Sequence, residues 1–133
     1  IHSRTFRLRR KNKMAVAAAA VNNFRTITHI VGLTTQTIYE APVGFVGVFL
    51  LAQCANIGTS TQTITWSHNR ISSGSTVTTE IVKDFYIPAN DTINLLPGKM
   101  VLETGDYISI VGSASTTPAK LKFITSILET SNQ

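Results

Sequence analysis

The chain reads as an all-β protein, a single antiparallel β-sandwich of about eight or nine strands with an extended N-terminal arm. Three observations predict it. Short β-branched and aromatic runs recur at a spacing of about 8–12 residues, punctuated by Gly, Pro, Asn and Ser. Several runs alternate apolar and polar residues, which gives a strand one buried and one solvated face. No amphipathic helical pattern long enough for a crossover helix separates them, and this disfavours a parallel α/β sheet.

The elements follow in order. Phe24–Val31 alternates loosely, with Thr26, Ile27 and Thr28 all suited to a pleated surface. Thr35–Ala41 is next and is closed by Pro42, which cannot donate to a ladder. Phe45–Ala52 is almost wholly apolar, the pattern of a central strand covered on both faces. Gln62–His68 alternates cleanly: Ile64 and Trp66 share one face, Thr63, Thr65 and Ser67 the other. Ser72–Ser75 reads as a loop and Thr76–Phe85 as a strand, followed by a turn at Pro88–Asp91. Ile93–Leu96 and Lys99–Leu102 flank the turn dipeptide Pro97-Gly98. Gly105-Asp106 then interrupts the chain before Tyr107–Val111, and Lys120–Glu129 closes it. The sandwich is expected over residues 22–133, with strand order open between Greek key and jelly roll.

Charge is distributed unevenly. The chain has 133 residues, 14% of them charged, and a formal net charge of +5. Arg4, Arg7, Arg9, Arg10, Lys11 and Lys13 place six positive charges, and no acid, in residues 1–13. The remaining 120 residues hold six basic and seven acidic side chains, a net charge of −1. A basic strap of this kind suits an anionic partner, either nucleic acid or an acidic neighbouring subunit. Met14-Ala15 looks like an ordinary translation start, so upstream sequence or a processed extension is the preferred reading of residues 1–13, with the strap beside it. Ala15–Val21 is a short helix candidate. With Ala15, Val16 and Val21 it offers apolar contacts to an adjoining subunit. Residues 1–21 are therefore read as the arm. The 19 Thr and 11 Ser give neutral strand surfaces; exposed edges are normally blunted by Lys or Pro, and edges without them can be paired with a neighbour in an assembly.

Chemistry-bearing motifs are sparse. Cys54 is the sole cysteine, which excludes an intrachain disulfide scaffold. His2, His29 and His68 stand at no metal-ligand spacing, so neither a metal nor another cofactor is expected. His29 reads as a strand residue with one satisfied nitrogen. Nucleophile-elbow, Walker and dinucleotide-binding motifs are all missing from the sequence, so no catalytic residues are assigned. Glu103–Asp106, which with Asp91 is the one candidate carboxylate cluster, reads as turn chemistry. Asn90-Asp91-Thr92 fits a glycosylation sequon, a match short enough to arise by chance. No apolar run reaches the roughly 18 residues that would span a bilayer, so no membrane partner is expected. Sugar binding requires Tyr39, Trp66, Tyr86 and Tyr107 to converge on one face, or the segments Asn56–Thr61 and Asn69–Ser75 to form a concave site.

The stretch IVKDFYIPANDTINLLPGKMVLETGDYISIVGSAS (81–115), followed by KFITSILE (122–129), resembles small β-sandwich virion proteins of tailed bacteriophages. The matching frame is Ile87-Pro88-Ala89-Asn90, then Val101-Leu102-Glu103-x-Gly105-Asp106, then a closing strand ending in Leu128-Glu129. Thr37–Pro42 fits the upstream part of that frame. The resemblance implies a non-enzymatic, multi-copy virion component of head decoration, neck or tail type, assembled in the host cytoplasm. Its implied partners are other virion proteins and further copies of itself. A glycan- or ligand-binding module on a tail appendage is the alternative.

Overall fold

The computed structural model describes residues 21–132. Nine strands follow one another: β1 (Asn22–Val31), β2 (Gln36–Glu40), β3 (Phe45–Asn56), β4 (Gln62–Ser72), β5 (Ser75–Ile87), β6 (Asp91–Asn94), β7 (Met100–Leu102), β8 (Tyr107–Gly112) and β9 (Leu121–Ser131). Sheet I has the order β1-β9-β3-β6, with the short β7 also paired to β3. Sheet II has the order β2-β8-β4-β5, and every pairing is antiparallel. The first strand thus pairs with the last, β2 with β8, β3 with β6 and β7, and β4 with β5. A long doubled hairpin has rolled so that successive pairs fall in opposite sheets. This is jelly-roll order, and it settles the choice left open by the sequence.

Each expected run contains a strand, although the sixth is shifted to Asp91–Asn94 and leaves Leu95 and Leu96 of the expected Ile93–Leu96 outside it. The Ser72–Ser75 segment is tighter than a loop. Ser72 and Ser75 pair across it, and Ser73 and Gly74 take φ of 53° and 80°, the two left-handed positions of a type I′ hairpin. Asn90 supplies the left-handed residue (φ 62°) of the Pro88–Asp91 turn. β3 departs from expectation. Its core face (Gly47, Phe49, Ala52, Cys54) is buried, but Val46, Val48 and Leu51 on its other face are only half-buried. The reason is architectural: in a two-sheet roll even a central strand meets another sheet on one side only.

The core lies between the sheets. Tyr39, Phe49, Trp66 and Phe123 form a continuous aromatic line, with ring centroids 5.7, 6.1 and 5.7 Å apart. Edge-to-face and tilted contacts of this kind suit the ring quadrupoles. Ile64 and Trp66 both point into the core, as their alternation indicates. Gly112 allows β8 to approach closely, since a Cβ there would lie 2.7 Å from Leu121 Cδ1 and 3.0 Å from Val31 Cγ1.

Candidate assembly surfaces

Side chains of directly paired antiparallel residues share a face, so the register assigns the outer surface of sheet I. Phe24 pairs with Leu128, Leu128 with Val48, and Val48 with Val101. This row crosses the sheet from edge to edge and is wholly apolar. Phe24 is 73% and Val101 56% exposed at its two ends, with Leu128 and Val48 half-buried between them. Further along, Thr28, Ile30, Ala55, Lys122 and Ile124 line a groove of about 820 Å³, floored in part by His29 and Phe123.

The outer surface of sheet II has a different chemistry. Thr37, Thr65, Ser67, Asn69, Thr78 and Ser109 sit there, and Asn69 knits them together. Its Nδ2 donates to Ser109 Oγ at 3.0 Å, while its Oδ1 accepts from Thr78 Oγ1 at 2.7 Å. Asn69 on β4 thus satisfies one hydroxyl on each of the two strands beside it, Ser109 on β8 and Thr78 on β5.

The edges differ too. β2 is bulged at Ile38, and β5 is out of step with β4 around Ile81 and again at Lys83-Asp84, where Asp84 has φ 48° and donates its N–H to Thr65 Oγ1. Bulges and charge blunt a strand edge. β1 has an unbroken ten-residue ladder to β9, and among the described residues its other edge is unpaired.

Two buried carboxylates tie the structure together. Neither was legible as a cluster in the sequence. Glu129 on β9 accepts from Tyr39 Oη (2.7 Å), Asn23 Nδ2 (3.1 Å) and Arg25 Nη1 (3.1 Å). Tyr39 belongs to the opposite sheet and reaches Glu129 past Gly47, where a Cβ would lie 2.9 Å from the phenol oxygen. Burial pushes the Glu129 carboxyl up, but the three donors outweigh it and leave its pKa below the ordinary value. The Tyr39 phenol is held well above its usual range, by burial first and then by its bond to Glu129.

Asp106 is the second hub. It accepts Arg70 Nε at 2.9 Å and Nη2 at 2.7 Å, His68 Nε2 lies 3.0 Å away, and the Glu103 amide donates at 3.0 Å. Burial raises its pKa, and these bonds, Arg70 foremost, overcome that and lower it to about 2. The turn reading of Glu103–Asp106 holds: the Asp106 amide donates to Glu103 O at 2.9 Å and Gly105 has φ 90°. Asp91 is remote from it in the fold, opposite Asn56.

The remaining expected residues fall as follows. Arg4, Arg7, Arg9, Arg10, Lys11, Lys13, Ala15 and Val16 lie outside the described residues. Val21 is exposed, and its backbone joins the end of β9: the Ser131 amide donates to Val21 O at 3.1 Å. His29 lies in β1, as expected; its Nε2 is buried without a hydrogen-bond partner, and burial lowers its pKa. Among the described residues no three His, Cys, Asp or Glu side chains gather as metal ligands. The aromatic rings considered for sugar binding do not converge. Tyr39 and Trp66 are in the core. Tyr86 and Tyr107 pair with Thr63 and Asn69, about 20 Å apart along β4. The segments Asn56–Thr61 and Asn69–Ser75 lie at opposite ends of that strand.

No protein-family model matches the chain, and no curated protein sequence matches it. Solved structures share its fold. The T13 particle of infectious bursal disease virus contains a chain that superposes with a TM-score of 0.52 at 13% identity, over 82% of this chain and 31% of that one. The VP2 subviral particle of the same virus gives 0.50 at 10% identity, over 85% and 32%. A Bacillus endospore appendage, of a family of disulfide-linked pili, gives 0.49 at 14% identity over 86% and 90%. This chain spans about a third of the length of the viral chains. At these identities the likeness to the two viral chains is one of fold.

Proposed function

We propose that the protein is a non-enzymatic structural component of a virus particle, present in many copies and held by protein–protein contacts. The observation that carries this reading is the exposed apolar row Phe24–Leu128–Val48–Val101 on sheet I. Contiguous apolar surface of that kind marks an interaction site. Two further observations support it. The fold is shared with chains of virus particles. The frame Ile87–Asn90 and Val101–Asp106 resembles tailed-phage virion proteins, which narrows the reading to a head decoration, neck or tail component in the virion. The basic residues Arg4, Arg7, Arg9, Arg10, Lys11 and Lys13 act in this reading as a strap on an anionic neighbour, and Ala15–Val21 as an apolar contact to an adjoining subunit.

Density-gradient purification of the particles, with quantitative mass spectrometry, tests it. The chain is expected to co-sediment with the particle at a fixed multi-copy ratio to its other proteins. Recovery only in the soluble fraction refutes the reading.

A further inference from the structure

We propose that the outer face of sheet I is a two-fold interface that seats the same face of a second copy of this chain. The inference rests on the reading of the protein as an assembly component and names one of its partners.

The face is complementary to itself. The Thr26–Ser126–Leu51 row crosses its middle. Phe24 stands two residues to one side of this row, and the groove walled by Thr28, Ile30 and Ile124 lies on the other. A two-fold axis along the row sets two copies face to face with β1 over β1. Phe24 of each copy then projects over the groove of the other. The groove, at about 820 Å³, has ample room for a phenyl ring. Each copy gives one knob and receives one, which is what an isologous contact requires.

Charge and area agree. Lys122 is the one charged side chain that the register places on this face among the described residues. It lines the groove four residues from Ser126, roughly 13 Å along the strand from the axis, and the two-fold sets the Lys122 of the second copy on the other side of that row. Stacking therefore brings no like charges together in the centre. Four strand widths at about 4.8 Å by about 30 Å of strand give roughly 600 Å² per copy. A pair buries about 1,200 Å², the lower end of the range for specific interfaces.

Sedimentation equilibrium of the full chain from about 1 to 100 μM tests the proposal, with Phe24→Ser removing the knob and Ile30→Lys filling the groove, so that no like charges meet across the mixed pair. Both positions are exposed, and thermal melts followed by circular dichroism establish that each variant folds. The wild type is expected to dimerise, and each variant alone to do so at least about 100-fold more weakly. An equimolar mixture of the two variants is expected to recover part of the affinity, because one knob and one groove remain matched in the mixed pair. A wild type that stays monomeric at 100 μM overturns the proposal. So does a dimer that both substitutions leave intact, or a mixture no stronger than the single variants. A monomer whose Ala15–Ala20 amides are protected from hydrogen exchange assigns the face to the chain's own upstream segment, and also overturns it. If the dimer fails while the chain still co-sediments with particles, the inference falls and the assembly reading stands. A dimer that never enters particles has the opposite meaning.

Discussion

Replacing Asp106 by Asn tests whether the buried carboxylate at the start of β8 holds the sandwich together. The side chain is 3% exposed and takes donated bonds from Arg70 and the Glu103 amide, with His68 Nε2 within hydrogen-bond distance. Its pKa falls from 3.8 to about 2 on folding, which corresponds to about 2.5 kcal/mol at 1.36 kcal/mol per pKa unit. Arg70 is 42% exposed, so solvent screens part of that pair, and a loss of roughly 2 kcal/mol at pH 7 is expected. A folded-state pKa below the unfolded value stabilises the protein above the unfolded pKa. That stability is lost as pH falls through the folded one. The gap between wild type and Asp106→Asn is therefore constant near neutrality, shrinks by about half at pH 3 and is nearly closed at pH 2. Glu129 also titrates in acid, but it is present in both proteins and cancels in the difference. The assay is urea unfolding at one fixed protein concentration, read by Trp66, the sole tryptophan, which is fully buried. A penalty below about 0.5 kcal/mol at pH 7, or an equal penalty at pH 7 and pH 2, refutes the reasoning.

Three further outcomes are expected. Gly47→Ala drives a Cβ to within 2.9 Å of Tyr39 Oη and should cost about 1–3 kcal/mol by chemical denaturation. Adding Tyr39→Phe removes the colliding oxygen, so the double variant should cost less than the sum of the singles, and strict additivity would contradict the proposed contact. Gly112→Ala should destabilise by a similar amount, because its Cβ would meet Leu121 and Val31 at 2.7 and 3.0 Å, and a neutral result would mean that the β8–β9 contact has slack. Cys54 is fully buried and its thiol is pushed up to about 12, so a thiol reagent should label it at the rate of unfolding, and rapid labelling of the native protein would refute its enclosure.

All nine strands were legible because each is a local matter. Trp66 and Ile64 declare a core face by alternation, and Pro42, Pro88, Gly98 and Gly105 mark where ladders stop. The face on which Phe24 lies was not legible, since Phe24–Val31 alternates only loosely and a ring at one end has no periodic partner. Its meaning appears only when Leu128 and Val48, brought from 104 and 24 residues away, flank it in register. The carboxylate hubs were hidden for the same reason. Asp106 meets His68 and Arg70 across 38 and 36 residues, and Glu129 meets Tyr39 across 90. Spacing in the sequence carries no trace of such meetings.

By itself, then, the sequence determined the class of fold, the strand boundaries to within a few residues, and the near-neutral net charge of residues 14–133 against the six basic side chains of residues 1–13. These follow from side-chain periodicity and turn chemistry, which act over a few neighbouring residues. The tertiary structure alone decided the jelly-roll order, the apolar row that crosses the outer face of sheet I, and the pairing of buried charges. These depend on which strands become neighbours, and that choice is made by the packing of the whole chain.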